Sequence, residues 1–183
     1  STLFPYTTLF RSVVAKFDTR PGNPSVTPDG RILVTIHPLA HPSTKMVEVD
    51  SAGKMKAYPD AALVEGPNSE FKAPLSVRTD DAGVAWILDL GTKTLHGWNT
   101  RTNARVAKIT IPDSVLRPTS FLQDFALDQK RGRIIIATSE EEENSPSDVV
   151  DYSPRENVAE RLAKRFGASV GFSSAAVSSA FCG

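Results

Sequence analysis

Residues 76–88 read SVRTDDAGVAWIL, and two other segments of the chain repeat their pattern. The first is SVTPDGRILVTI at 25–36, and the last is DFALDQKRGRIIIA at 124–137. Each segment has a short strand-like run, a polar turn that contains glycine, and a nearly continuous apolar run. The turn glycines lie 53 and 49 residues apart, and they are Gly30, Gly83 and Gly132. A period of this length indicates a repeat architecture.

Each of the three segments predicts a β-hairpin. Asp and Gly tolerate the unusual backbone angles of a tight turn, and the apolar run after the turn has apolar side chains on both of its faces. A strand of this kind is buried on both faces, as is the inner part of a propeller blade between two neighbouring blades. A two-sheet sandwich is the alternative, because it also uses many short strands. Sandwich strands do not ordinarily repeat one motif every fifty residues, so the period favours the propeller.

We therefore predict an all-β protein, a partial β-propeller of about two to three blades that covers residues 13–137. The blades are expected at about 13–65, 66–118 and 119–152, and the last of them is expected to be incomplete. More polar outer strands are predicted in the first two blades at 45–50, 54–58, 94–100 and 105–111.

Three stretches of the chain resemble one known family. They are RPGNPSVTPDGRILVTIHP at 20–38, LSVRTDDAGVAWILDLG at 75–91 and SFLQDFALDQKRGRIIIA at 120–137. They are similar to bacterial members of the major royal jelly protein/yellow family, which are often described as related to dopachrome tautomerase. The resemblance implies a six-bladed propeller, of which this chain would hold two blades and part of a third. It also implies a secreted or periplasmic protein.

Both ends of the chain depart from this pattern. Residues 1–12, STLFPYTTLFRS, resemble a translated sequencing adapter, and we expect them to lie outside the fold. Residues 138–183 form a divergent tail, which a frameshift or chimeric join near residue 138 would explain; a true sequence variant is the alternative. Within the tail, Ser153, Pro154 and Glu156 resemble a helix start. With the apolar spacing that follows, they predict a helix over about 154–166, outside the propeller pattern.

The composition excludes several function classes. The chain has 21 Lys plus Arg and 21 Asp plus Glu, so no net charge is available to attract a nucleic acid or an acidic membrane surface. No apolar run approaches the roughly 20 residues of a membrane helix. We predict a small-molecule ligand as the partner, with neither nucleic acid nor membrane, and no cofactor.

Propeller ligands usually bind at one end of the central channel, where loops before the innermost strands and loops after the second strands converge. Asn23, Ser76, Gln123 and Asp124 lie where the innermost strands start. The resemblance independently indicates Gln123 and Asp124, because the family pattern has an Asn-Asp or Gln-Asp pair that faces the channel. The predicted ligand contacts are Gln123, Asp124, Asp89, Asn23, Arg78 and His37. For Asp89 and Asp124, capping of backbone amides is the alternative role.

We predict no metal site and assign no catalytic residue. His37 and His41 are four residues apart, a spacing that suits a metal only on a helix, and prolines make this segment a loop. Lactonase-type propellers hold a divalent metal with a carboxylate at the start of the first inner strand. Gly22 and Asn23 occupy that start here.

Three hypotheses about function stay open at this point. The first is a propeller fragment that binds a small aromatic or amine-bearing ligand at the channel mouth. The second is an enzyme, either an isomerase of the tautomerase type or a metal-dependent lactonase. The third is a truncated reading frame without a function, because an incomplete ring leaves unpaired strand edges.

Overall fold

The computed structural model describes residues 13–139, 149–153 and 158–161. These residues form three antiparallel four-stranded sheets, each built from four consecutive strands. The first sheet holds β1 (Pro21–Val26), β2 (Ile32–Ile36), β3 (Met46–Val49) and β4 (Met55–Ala57). The second holds β5 (Pro74–Thr79), β6 (Val84–Asp89), β7 (Thr94–Asn99) and β8 (Ala104–Thr110). The third holds β9 (Phe121–Asp128), β10 (Arg133–Ser139), β11 (Val149–Ser153) and β12 (Val158–Arg161).

The first two strands of each sheet are the hairpins that the repeat predicts. The turn glycines Gly30, Gly83 and Gly132 all have positive φ angles, of 84°, 82° and 62°. A residue with a β-carbon rarely adopts this backbone conformation, so the glycines allow the tight turns. The prediction of an all-β chain with a hairpin in each repeat is therefore confirmed.

Helical segments are short and lie in the connections between strands. Among the described residues they are a single helical turn, α1 (Ala61–Val64), and 3-10 helices at Pro38–Ala40 and Asp113–Val115. None of the helices in the described part of the chain is long and apolar enough to cross a membrane.

Apolar side chains fill the space between successive sheets. Leu33 and Met46 of the first sheet pack with Val77 and Ile87 of the second. Between the second and third sheets lies another cluster, which includes Leu88, Leu95, Leu122, Phe125 and Ile136. The sheets therefore stack face to face as neighbouring blades, each buried on the side of its neighbour, and we call them blades 1, 2 and 3.

The first strand of each blade is the innermost. Strand β5 contacts both β1 and β9, so the three inner strands lie side by side. Within each blade the start of the inner strand pairs with the end of the second strand: Pro21 with Ile36, Pro74 with Asp89, and Phe121 with Ser139. The starts of all three inner strands therefore lie at one end of the propeller.

The third blade corrects one expectation about the tail. Within the helix predicted over about 154–166, residues Val158–Arg161 form strand β12 instead, while 154–157 and 162–166 lie outside the described residues. Strand β12 pairs with β11 from Val150 opposite Arg161 to Ser153 opposite Val158. Capping and helical spacing are local signals in the sequence. Pairing with β12 instead provides hydrogen-bond partners for the backbone groups along the edge of β11, which would otherwise be unpaired. Blade 3 is therefore four-stranded like the others.

Candidate functional site

All three inner strands carry an irregularity near their starts. In β1 the regular pairing with β2 breaks between Pro21 and Pro24, and in β5 the pairing with β6 breaks between Pro74 and Ser76. In β9 Leu122 and Asp124 have partners on β10, and the residue between them, Gln123, has none. A β-bulge of this kind redirects the side chains next to it. The bulges explain why the side chains at this end of the propeller turn toward one another.

A hydrogen-bonded cluster joins the three blades at these bulges. The Asn23 amide Nδ2 of blade 1 donates to Ser76 Oγ of blade 2 at 3.1 Å and to Asp124 Oδ1 of blade 3 at 3.4 Å. Ser76 Oγ donates to the same carboxylate oxygen, and Arg78 NH2 donates to Asp124 Oδ2 at 2.7 Å. We call Asn23, Ser76, Arg78 and Asp124 the inner-strand cluster. Its members are 46 to 101 residues apart in the sequence along these bonds.

Solvent reaches every member of the cluster except Ser76. Ser76 is fully buried, whereas the side chains of Arg78 and Asp124 are each 38% exposed. An ion pair with this much exposure contributes little to stability, on the order of 1 kcal/mol or less. The pair is therefore available for contact with a ligand without being a main support of the fold.

The backbone around Asn23 is held by a buried threonine. Thr35 Oγ1 accepts from the Asn23 backbone N–H at 2.9 Å and donates to the Leu75 carbonyl of blade 2 at 2.9 Å. A β-carbon on Gly22 would lie 2.5 Å from Thr35 Oγ1 and 3.4 Å from the Leu75 carbonyl. Glycine at position 22 therefore permits the close approach of β1, β2 and β5.

We expect Gly22→Ala to lower the free energy of unfolding by about 1–3 kcal/mol, because the added methyl group overpacks a site bounded by a buried hydroxyl and backbone oxygens. Urea unfolding followed by circular dichroism measures the change. Val26→Ala, in the same strand at a side chain that is 62% exposed, is the control and should change stability far less. Equal effects of the two variants would contradict the close-packing argument.

Two of the predicted site residues, Asp89 and His37, form hydrogen bonds with nearby backbone instead of with the inner-strand cluster. Asp89 is fully buried, and its carboxylate accepts from the backbone N–H groups of Lys72 at 2.8 Å, Ala73 at 2.8 Å and Gly91 at 3.0 Å. His37 precedes the 3-10 helix Pro38–Ala40, and its Nδ1 accepts from the Leu39 N–H at 3.3 Å. Both side chains therefore stabilise the nearby backbone and do not contribute to the inner-strand cluster.

The other four predicted residues lie together. Asn23, Arg78 and Asp124 are members of the cluster, and Gln123 is the exposed residue at the bulge next to Asp124. The sequence also placed Ser76 at the start of an inner strand, but nothing in it indicated that its hydroxyl links Asn23 to Asp124. Thr35 was missed altogether, because a threonine inside an apolar strand gives no signal of a bond to the next blade.

The part of the chain that the structure describes brings no three His, Cys, Asp or Glu side chains close enough together to hold a metal ion. Hydrogen-bond donors surround the carboxylate of Asp124. One of them is the backbone N–H of Phe125, which donates to Oδ1 at 2.8 Å. The side-chain partners of Asp124 are an amide, a hydroxyl and a guanidinium. The arrangement suits hydrogen bonding and ion pairing with a small organic molecule.

These observations define the described chain as part of a β-propeller with a polar cluster where its inner strands start. No family model matches it, and no curated protein does. Among solved structures it is similar to a streptogramin B lyase, with 15% identity and a TM-score of 0.54 over 79% of this chain and 40% of that one. It is also similar to the selenomethionine-substituted virginiamycin B lyase from Staphylococcus aureus, with 11% identity and a TM-score of 0.52 over 77% and 40%.

A third similar structure is an extracellular domain from B. thetaiotaomicron, with 12% identity and a TM-score of 0.55 over 82% of this chain and 18% of that one. At these identities the likeness shows the fold alone, and it confirms the partial propeller. The chain spans less than half the length of each of these three structures.

Proposed function

We propose that this chain is part of a royal-jelly/yellow-like propeller that binds a small aromatic or amine-bearing molecule where the inner strands start. The observation that carries the proposal is the inner-strand cluster, in which one half-exposed carboxylate, Asp124, is held by side chains from blades 1 and 2. A carboxylate fixed in this way needs no rearrangement to accept a hydrogen bond, which reduces the entropic cost of binding.

The surroundings of Asp124 favour a positively charged or hydrogen-bond-donating partner. Oδ1 accepts from Asn23, Ser76 and the Phe125 backbone, whereas Oδ2 accepts only from Arg78 within the described residues. Because a carboxylate oxygen can accept at least two hydrogen bonds, Oδ2 can accept another. An ammonium group placed there would form a charge-assisted hydrogen bond, which is stronger than a neutral one.

Charge and family resemblance support the remaining parts of the proposal. The balance of 21 basic and 21 acidic residues favours a small ligand over a nucleic acid or an acidic membrane surface. The Gln123 and Asp124 pair matches the channel-facing pair of the royal jelly protein/yellow family. The same resemblance favours a secreted or periplasmic protein.

Calorimetric titration of the full chain with tyramine, dopamine and serotonin tests the proposal. We expect saturable binding of at least one amine, and we expect Asp124→Asn to weaken it about tenfold or more, because the variant keeps the shape of the side chain and loses its charge. Circular dichroism should show that the variant keeps its sheet content.

Asp113→Asn is the matched control. Asp113 is also a carboxylate in one ion pair, with Lys93, but its side chain is 88% exposed and lies in a 3-10 helix outside the inner-strand cluster. This variant should bind as the original chain does. Absence of heat from every amine-bearing aromatic probe, or equal binding by Asp124→Asn, would overturn the proposal.

A further inference from the structure

We propose that the ligand is a zwitterion that carries a carboxylate close to its amine, as an aromatic amino acid does. This inference rests on the proposed function and specifies the chemistry of the same site. It starts from the observation that the partly exposed side chains of the inner-strand cluster include an ion pair rather than a lone carboxylate. Arg78 NH2 and Asp124 Oδ2 are 2.7 Å apart, and each side chain is 38% exposed.

The guanidinium of Arg78 has most of its donors available. It carries five N–H bonds, and the described residues accept from it only at Asp124 Oδ2. A ligand carboxylate can pair with two neighbouring N–H groups of one guanidinium, which fixes its orientation as well as its position. Arg78 is therefore suited to hold a carboxylate while it keeps its bond to Asp124.

The charges of the pair favour a ligand that carries both charges over a ligand that carries only one. An ammonium group near Asp124 is attracted by the carboxylate, but it is also repelled by the guanidinium at almost the same distance. A carboxylate near Arg78 is repelled by Asp124 in the same way. A zwitterion aligned antiparallel to the pair places each of its charges beside the opposite one, so both interactions are attractive.

The neighbouring bulge adds a neutral contact. Gln123 is exposed beside Asp124, and its side-chain amide forms no hydrogen bond within the described part of the chain. An amide both donates and accepts. It can therefore bond to a ligand without disturbing the balance of charge at the site.

Three probes that share a phenol ring and a two-carbon spacer test the inference by calorimetry. Tyrosine carries both charges, tyramine carries only the amine, and 3-(4-hydroxyphenyl)propionate carries only the carboxylate. We expect tyrosine to bind at least tenfold more tightly than either of the others, because only tyrosine can pair with both residues. This comparison uses the unaltered chain, so it does not depend on how well a variant folds.

Variants of Arg78 then test whether this residue binds the carboxylate of the ligand. Arg78→Gln should lower the affinity for tyrosine to about that for tyramine, and Arg78→Lys should give an intermediate affinity, because lysine keeps the charge and loses the paired donors. Arg101→Gln, an exposed arginine in the turn between β7 and β8, is the control and should change nothing.

The outcomes separate the two proposals. Tyramine binding as tightly as tyrosine, or tyrosine binding that Arg78→Gln does not weaken, would overturn the zwitterion and leave the amine site intact. Tightest binding of the propionate would also overturn the zwitterion. Absence of heat from these probes and from the three amines would overturn both the zwitterion and the proposed function.

Discussion

Replacing Asp89 with alanine is expected to lower the free energy of unfolding by about 3 kcal/mol or more. The Asp89 carboxylate is fully buried and accepts hydrogen bonds from three backbone N–H groups, those of Lys72, Ala73 and Gly91. Alanine leaves these donors without their acceptor, and each unsatisfied buried group costs about 1–3 kcal/mol. The loss should also loosen the start of β5, because Lys72 and Ala73 directly precede that strand. Urea unfolding measures the change.

The matched control for Asp89 is Asp50. Its carboxylate accepts from the backbone N–H groups of Ala52 and Lys54, each at 2.9 Å, in an exposed turn between β3 and β4. Water can replace the carboxylate there, so Asp50→Ala should cost no more than about 1 kcal/mol. Asp89→Asn keeps one acceptor oxygen and should fall between the two alanine variants. Similar costs for Asp89→Ala and Asp50→Ala would mean that the buried carboxylate does not hold the strand start.

The second large effect is a loss of folding stability as the pH falls, and it arises from a buried histidine in blade 2. His96 on β7 is 1% exposed, its ring lies 4.4 Å from that of Phe71, and neither ring nitrogen has a hydrogen-bond partner among the residues that the structure describes. Burial lowers the pKa of His96 from 6.5 to about 4. The negative charges of Asp89 and Glu70 oppose this shift, while the positive charges of Arg105 and Lys108 add to it. The folded protein therefore holds this ring in its neutral form.

We expect the protein to lose about 2 kcal/mol of stability between pH 7 and pH 5 because of His96. Above pH 6.5 the ring is neutral in both the folded and the unfolded chain, so it contributes no pH dependence. Below pH 6.5 the unfolded chain binds a proton that the folded chain does not, and stability falls until the pH reaches about 4. Urea unfolding at a series of pH values between 7 and 5 measures the slope.

His96→Leu should remove most of this slope. It should also leave stability at pH 7 unchanged or higher, because an apolar side chain needs no partner in this position. Glu70 does not interfere within this range, since Arg105 and Lys108 hold its pKa at about 2. His41→Gln, which alters an exposed histidine, is the control and should keep the slope. A slope that persists in His96→Leu would contradict the assignment.

The site residues show which parts of the site could be predicted from the sequence. Asn23, Arg78, Gln123 and Asp124 were predicted from their positions on inner strands, and the structure brings Asn23 and Arg78 each into direct contact with Asp124. Asp89 was predicted at the same end because it lies where the second strand of its blade ends, and it does lie there, opposite Pro74. Its side chain binds backbone instead, because a carboxylate at a strand end can turn inward to the amides of the loop that leads into the next strand.

The sequence by itself determined the hairpins, their turns and the order of the blades. These features depend on residues close together in the chain: a glycine that tolerates a positive φ angle, and apolar runs that must be buried on both faces. The tertiary structure alone decided that Ser76 links Asn23 to Asp124, that β12 pairs with β11 where a helix was predicted, and that the His96 ring has no hydrogen-bond partner in the described part of the chain. Each of these outcomes depends on groups that come into contact only when the strands pair and the blades pack. A local sequence pattern carries no information about such long-range contacts.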